Sequence, residues 1–513
     1  MPESFRLNPF LIYMYVRLIF FSLVLCFSSN CQMASLSNPC DSESKDFYPQ
    51  LLISASIEGG FCQLKVVNTG DLYRFTDFTF YKSIPISVLP RLGSKSEVNI
   101  SPSLPTGLYI DPSTGALSGT PTVPFERQRY TVYRKGVAQG QITVEVRDLA
   151  ATKVYGQLGN LNCGLSYLNI SCTTGGTPSA SNLSGPNDVK TDNAGGVYIA
   201  SANRVLYYPS GQTTATRVYG QHGLFTCDIA NAHTNQSCMP LGAIAATTLS
   251  GPKGLLIDAA NNLFVTDTGA NRRMLVYPSE STIPIRAIGV PNFVTSGGGA
   301  TSQSTLYTPI HLSPDSTGGF YVSDTGDCRT LYFPKDASLP TEVYGQPDFS
   351  SNGTTASASG LSTNQGVVAD SQDGIYIADT GNHRVVYYPK GSNIATRVYG
   401  QVNFTSSGTS AVTSNTLNNP VAVSLDQSEN LFVADLNNHR VLIYPRTTLV
   451  SGMTASSVVG QFGNFTCGAD NNNGSCSPGS PTAQNLYRPT AVHFDKQGRM
   501  YISDYGNNRV LVY

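Results

Sequence analysis

Asp379-Thr-Gly-Asn-His-Arg384-Val-Val-Tyr-Tyr-Pro389 is followed 56 residues later by Asp435-Leu-Asn-Asn-His-Arg440-Val-Leu-Ile-Tyr-Pro445. Further copies of the same core run from Asp267 to Arg272, Asp324 to Arg329 and Asp504 to Arg509. A shortened copy reads Ser201-Ala-Asn-Arg204-Val-Leu-Tyr-Tyr-Pro209. A unit repeated six times decides the architecture, because each copy must stack on its neighbours to bury its apolar residues.

Four strand-like runs surround each core. Run a follows a proline and ends in aspartate, as in Pro420-Val-Ala-Val-Ser-Leu-Asp426. Run b is Leu431-Phe-Val-Ala-Asp435, run c is Arg440 to Tyr444, and run d is Thr396-Arg-Val-Tyr-Gly-Gln401. All are short, rich in β-branched and aromatic residues, and separated by turn residues. The Tyr-Gly-Gln-type elements start at Tyr155, Tyr219, Ile288, Tyr344, Tyr399 and Val459, 55 to 69 residues apart. Four strands at that period make one propeller blade plus a long loop. The units resemble NHL repeats, and the resemblance implies an all-β fold with a six-bladed β-propeller. The last copy supplies runs a, b and c only. A spare run d, Ala151-Thr-Lys-Val-Tyr-Gly-Gln157, precedes the first run a. This segment is expected to complete the last blade, leaving no open sheet edge.

The composition fits. The chain has 513 residues, 48 Gly, 30 Pro, no Trp and only 13% charged residues, with a net charge of −1. There is no charge excess to drive nucleic-acid binding and too much apolar content for a disordered chain.

Before the repeats, Leu104-Pro-Thr-Gly107-Leu and Thr114-Gly115-Ala-Leu-Ser-Gly119-Thr-Pro121 stand within residues 76–148. They resemble the signature of an Ig-like domain of surface proteins, which implies a small β-sandwich there. At the N-terminus, Arg6 and Arg17 precede the apolar run Leu18 to Phe27, and Ser28, Ser29 and Asn30 follow. This reads as a signal peptide over residues 1–30, or a signal anchor if uncleaved. The domain reading is therefore 1–30 targeting, 31–75 unassigned, 76–148 Ig-like, and 149–513 a propeller closed by 151–157.

Eleven cysteines agree with an exported chain. Cys163 and Cys172, Cys227 and Cys238, and Cys467 and Cys476 are close pairs, read as disulfides. No zinc-type cysteine spacing occurs. Asn-x-Ser/Thr sequons at Asn99, Asn169, Asn182, Asn235, Asn352, Asn403, Asn464 and Asn473 are glycan acceptors on a eukaryotic secretory route.

The repeated Asp267, Asp324, Asp379, Asp435 and Asp504, with Arg272, Arg329, Arg384, Arg440 and Arg509, are read as structural. A catalytic residue is needed once and not in every blade. His383 and His439 share one repeat position and are read the same way. His311 and His493 lie on innermost strands. A zinc site of three channel histidines, as in the amidating lyase among propellers, finds no third member here. No catalytic residue and no cofactor is implied, and run a offers mostly Ala, Gly, Val, Leu and Ser toward the channel.

The functional expectation is a secreted or cell-surface binding or adhesion module for an unidentified protein or glycan, without nucleic acid. The competing class is an extracellular propeller enzyme with a central metal, amidating-lyase-like or lactonase-like. Loop lengths favour a face for recognition. The d-to-a connections from Gln157 to Leu183, Gln221 to Leu249 and Gln461 to Leu486 span 26, 28 and 25 residues, against 15 or 16 for the other three. The three close cysteine pairs fall in the three long ones.

Overall fold

The computed structural model describes residues 77–88, 97–166, 172, 176–232, 238–239, 242–446 and 452–513. The targeting segment 1–30 and residues 31–75 lie outside the described residues. Within them the regular structure is β, apart from one-turn 3-10 segments.

Strands such as Leu263–Asp267 and Leu431–Asp435 are buried at every position. Continuous apolar runs, without in–out alternation, belong to sheets covered on both faces. The topology supplies the cover. Six four-stranded sheets follow one another among the described residues, five of them built from strands consecutive in sequence. Their first strands, Pro186–Thr191, Pro252–Ile257, Pro309–Pro314, Val367–Ala369, Pro420–Leu425 and Pro489–Phe494, each pack on the next, and the sixth packs back on the first. These are the blades, numbered here one to six. In blade six the outer strand is Lys153–Tyr155, antiparallel to Arg509–Val512 with Val154 opposite Leu511.

Aromatic rings fill the seams. Tyr155 lies against Tyr208, Tyr219 against Tyr277, Tyr344 against Tyr388 and Tyr399 against Tyr444, with centroids 5.1 to 5.6 Å apart. Each pair joins the outer strand of one blade to the third strand of the next. Such edge-on or tilted rings add about 0.5–1.5 kcal/mol to the area they bury.

The Ig-like part holds a four-stranded and a three-stranded sheet over a core that includes Phe80, Val98, Leu117, Tyr130 and Val144. Its glycine signature has a steric cause. A Cβ on Gly107 would lie 2.0 Å from the Thr120 carbonyl oxygen, and one on Gly119 would lie 2.0 Å from that of Gly107. The two strands touch backbone to backbone, at positive φ, where only glycine fits.

Tyr81 joins the two parts. Its hydroxyl accepts the Met500 N–H at 2.7 Å and faces the Gly498 and Tyr513 carbonyls at 3.2 and 3.3 Å. Asn430 donates to the Pro85 carbonyl and Ser457 to that of Ser83. Every propeller residue in this junction lies at the a–b or c–d turn end of blades five and six. The b–c turns and d-to-a connections emerge at the other end. The long connection into blade six also reaches back to the Ig-like side, where Phe462, Gly463, Phe465 and Gln484 line a cavity with Lys82, Ser83 and Asp148.

Candidate functional site

The Asp–Arg repeat is a clasp. Each aspartate ends strand b, and its Oδ2 accepts the arginine Nε at 2.7 to 2.9 Å in blades two, four, five and six and at 3.0 Å in blade three. Its Oδ1 accepts a backbone N–H of the incoming d-to-a connection, from Ser250, Tyr307, Ser362, Asn418 or Tyr487. The arginine fork then reaches carbonyls near the end of that connection and near the start of the next one. Arg440, for example, donates to Phe465, Thr413 and Thr416. All ten groups are fully buried. Burial pushes the carboxyls of Asp267, Asp379 and Asp435 up, while the guanidinium and the N–H donors oppose the rise. The clasp fixes loops and leaves no free lone pair for chemistry.

One member differs from the sequence reading. In blade two the clasp arginine is Arg273, not Arg272. The turn there holds one extra residue, so Arg272 falls at the left-handed position, φ 49°, that Cys328, His383, His439 and Asn508 occupy elsewhere. Its guanidinium lies over the Tyr307 ring, 4.2 Å from the centroid. Blade one lacks the aspartate. Ser201 Oγ accepts the Ser184 N–H instead, and Arg204 still donates to the Phe225, Ser179 and Asn182 carbonyls.

The residue before the clasp arginine ties one blade to the next. Asn203 accepts the Gly251 N–H, Cys328 Sγ that of Thr363, His383 Nδ1 that of Asn419, His439 Nδ1 that of Arg488, and Asn508 that of Gly185. Five blades place an acceptor there, and blade two stacks Arg272 on Tyr307 instead. This explains the buried free Cys328 and both repeat histidines.

Disulfides join Cys163 to Cys172, Cys227 to Cys238 and Cys467 to Cys476, with Cα atoms 5.2 to 5.9 Å apart. These loops lead into blades one, two and six, which are neighbours in the closed ring. Two are pinned by mutual amide pairs. Asn231 and Asn271 each donate to the other, at 2.8 and 2.9 Å, as do Asn471 and Asn507 at 2.9 and 2.7 Å. His222 braces the second loop, its ring bonded to Thr247 Oγ1 and the Ala232 carbonyl. Four large apolar side chains stand exposed on or beside these loops: Leu158, Leu165, Met239 and Phe462.

The axial channel carries a second, unrepeated group. At the third position of the inner strands stand Gly254, Gly366, Ala422 and Ala491, but Asp188 and His311 in blades one and three. Small residues suit the site: a Cβ on Gly254 would lie 1.9 Å from the Ile310 carbonyl. Asp188 is fully buried and bridges to the Leu255 N–H at 2.8 Å, while Lys190 grips both its oxygens at 2.7 and 2.9 Å. Lys253 donates to Asn187 Oδ1 at 2.9 Å. Sequence reading missed Asp188, Lys190 and Lys253. The signal was present, since none has a counterpart at the same position in other blades.

Residues 66–152 match the family described as "Putative Ig domain", and residues 365–388 and 417–444 match the NHL repeat. The chain carries NHL repeats behind an Ig-like domain. A search of curated proteins finds no match. Similar solved structures include a streptogramin B lyase, 11% identical over 66% of this chain and 94% of that one, with a TM-score of 0.38. Others are a structural genomics protein of unknown function from Bacteroides thetaiotaomicron, 12% identical over 85% and 96% at 0.44, and an auxiliary nutrient binding protein from Bacteroides ovatus, 13% identical over 85% and 95% at 0.43. Likeness at this level says nothing of ligand or chemistry.

The remaining candidates fall into place on the NHL propeller. His493 Nε2 accepts the Thr191 N–H at 3.2 Å and lies 2.9 Å from Thr191 Oγ1, so it braces the seam between blades six and one. Burial holds its pKa well below the ordinary histidine value. Among the described residues no three His, Cys, Asp or Glu side chains converge as a metal-binding group. Of the sequon asparagines, Asn99, Asn352, Asn403, Asn464 and Asn473 are exposed, and Asn169 and Asn235 lie outside the described residues. Asn182 departs from its reading as a glycan acceptor. It is 3% exposed, and its amide is spent on the Ser179 N–H and the Thr177 carbonyl, both at 2.8 Å.

Proposed function

We propose that this chain is a secreted or cell-surface binding module whose recognition surface is the propeller face carrying the three disulfide loops. One observation carries the reading: the three disulfide-pinned loops are consecutive around the ring. Disulfide and amide pinning lowers the ordering cost that a long loop would otherwise meet on binding, and rigid scaffolds present recognition in such loops. The exposed Leu158, Leu165, Met239 and Phe462 supply apolar anchors. A protein or a glycan is the proposed partner class. Residues 1–30 act as the signal, 31–75 precede the Ig-like part at 76–148, and 149–513 form the head. The exposed sequon asparagines carry glycans if the route is eukaryotic.

The test is a glycan array and a cell-surface binding assay with residues 31–513. Replacing the segments 163–172, 227–238 and 467–476 by short linkers abolishes binding on this reading, while trimming the three short d-to-a connections leaves it intact. The opposite pattern overturns it.

A further inference from the structure

The cavity between the Ig-like part and the propeller has a volume of about 600 Å³. Three stretches of chain wall it. Lys82 and Asp148 come from the Ig-like side, Ser457 from the outer strand of blade five, and Phe462 and Gln484 from the long connection into blade six. Small-ligand pockets have this size and gather where two domains meet. The walls are held in place. The Lys82 N–H donates to the Arg147 carbonyl and the Ala151 N–H to that of Ala483, both at 2.9 Å, and Tyr81, next to Lys82, is bonded into blade six.

The room exists because blade five breaks the repeat. The other outer strands begin with a long charged residue, Lys153, Arg217, Arg286, Glu342 or Arg397. In blades one and four that arginine lies over the tyrosine opposite it, 3.9 Å from the centroid: Arg217 on Tyr207 and Arg397 on Tyr387. Blade five has Ser457 opposite Ile443 instead. Part of the space so freed seats Ser83, whose carbonyl accepts the Ser457 hydroxyl. The rest is cavity.

Phe462 is a second irregularity. Leu158, His222 and Phe462 take the same left-handed backbone position in the three long connections, with φ 51 to 54°. The fold therefore asks for that backbone shape and not for an aromatic ring. Of the three, Phe462 lines the cavity, and its side chain is half exposed.

Lys82 Nζ and Asp148 Oδ1 stand 3.8 Å apart, beyond hydrogen-bond length. Among the described residues neither head group has another partner. Such a pair alone is an ordinary solvated surface feature. Here it sits at the wall of a cavity that also carries a flat apolar ring and an exposed amide, that of Gln484. The two charges cancel, so the wall suits a neutral ligand. Adjacent hydroxyls on a sugar ring meet both groups at once, one donating to the carboxylate and its neighbour accepting from the ammonium. The apolar face of the same ring lies on Phe462.

We propose that this cavity is a binding site for a neutral sugar with a vicinal diol, as a free monosaccharide or as the end of a glycan chain. None of the residues in segments 163–172, 227–238 and 467–476 lines it, so its failure and that of the loop-face reading are distinguishable.

The test is saturation-transfer NMR with titration of the purified protein by D-galactose, D-mannose and D-glucose and by their methyl glycosides. The glycosides imitate a chain end, so their binding assigns a glycan terminus, and binding by the free sugars alone assigns a monosaccharide. D-glucuronate controls for charge and cyclohexanol for a ring without a diol. Saturable binding of at least one neutral sugar, tighter than both controls, is expected. Lys82→Met and Asp148→Asn each weaken it roughly tenfold or more, as loss of a charge-assisted bond requires. Phe462→Leu puts the side chain of Leu158 on the same backbone and weakens binding roughly twofold to tenfold, the range of an aromatic contact. All three side chains are partly exposed, and melting curves identify any variant that does not fold. No saturation by any neutral sugar, a control that binds as tightly, or unchanged affinity in folded Lys82→Met and Asp148→Asn overturns the proposal. Sugar binding that is lost on replacing the three disulfide segments but kept in Lys82→Met also overturns it, and leaves the loop-face reading standing.

Discussion

The clasps at the b–c turns and the cluster in the channel are both made of buried charges, yet one is repeated and closed while the other is single and open. In the clasps each carboxylate meets the arginine Nε and a backbone N–H, and the rest of the guanidinium fork meets carbonyls. In the channel Asp188 is spent on Lys190 and on two backbone N–H groups, and Lys253 has the Asn187 amide oxygen in place of a carboxylate. Repetition marks what the fold requires. Irregularity within a repeat marks what the fold tolerates.

The largest effect should come from breaking a clasp. Asp379→Ala leaves Arg384 buried and uncompensated, and is expected to cost about 3–5 kcal/mol in denaturant unfolding. The double change Asp379→Leu with Arg384→Met should cost less than the single one. If it costs more, the pair contributes more than its own desolvation and the contrast with the channel weakens.

Blade one offers a clasp without its carboxylate. Ser201→Ala orphans the Ser184 N–H and is expected to cost about 1–2 kcal/mol, visibly less than Asp379→Ala. Equal costs would show that charge plays no part.

The blade ties give a pH effect of similar or smaller size. His383 and His439 accept through Nδ1 in the neutral form, and burial holds both below the ordinary value of 6.5. The unfolded chain then binds more protons below that value than the folded chain does. Stability is complete above about pH 6.5 and falls as pH drops below it. Unfolding should be measurably easier at pH 5 than at pH 7.5. Replacing both histidines with asparagine, which serves the same tie at Asn508, should shrink the difference. An unchanged pH slope would assign it to other groups.

The smallest effect belongs to the channel. Lys253→Met should leave stability within about 1 kcal/mol or raise it, because an unpaired ammonium returns no ion-pair energy for its desolvation. A loss of the size seen for Asp379→Ala would make Lys253 a structural residue and end the distinction.

The blades were legible because their strands are continuous apolar runs between fixed turn residues, a pattern no other part of the chain imitates. The Ig-like part was legible from Gly107 and Gly119, whose lack of a side chain is a steric necessity. The Arg272 reading failed because sequence alone does not show which arginine follows the extra turn residue, and only the left-handed backbone separates it from Arg273. Asn182 failed because a sequon in a long loop says nothing of whether its amide is already used inside that loop. The channel group was missed because run a was read as a type. Compared position by position across the blades, Asp188, Lys253 and His311 stand out at once.

The pairing of Lys153–Tyr155 with Arg509–Val512 has a consequence for biosynthesis. The outer strand of the last sheet leaves the ribosome first and its partner more than three hundred residues later, roughly 20–70 s at ordinary elongation rates. Throughout that interval the growing chain carries an unmatched β segment beside sheets that are already assembling. The ring can lock only once Arg509–Val512 has emerged, so this seam is where holding chaperones would be needed and where mispairing between nascent chains would begin.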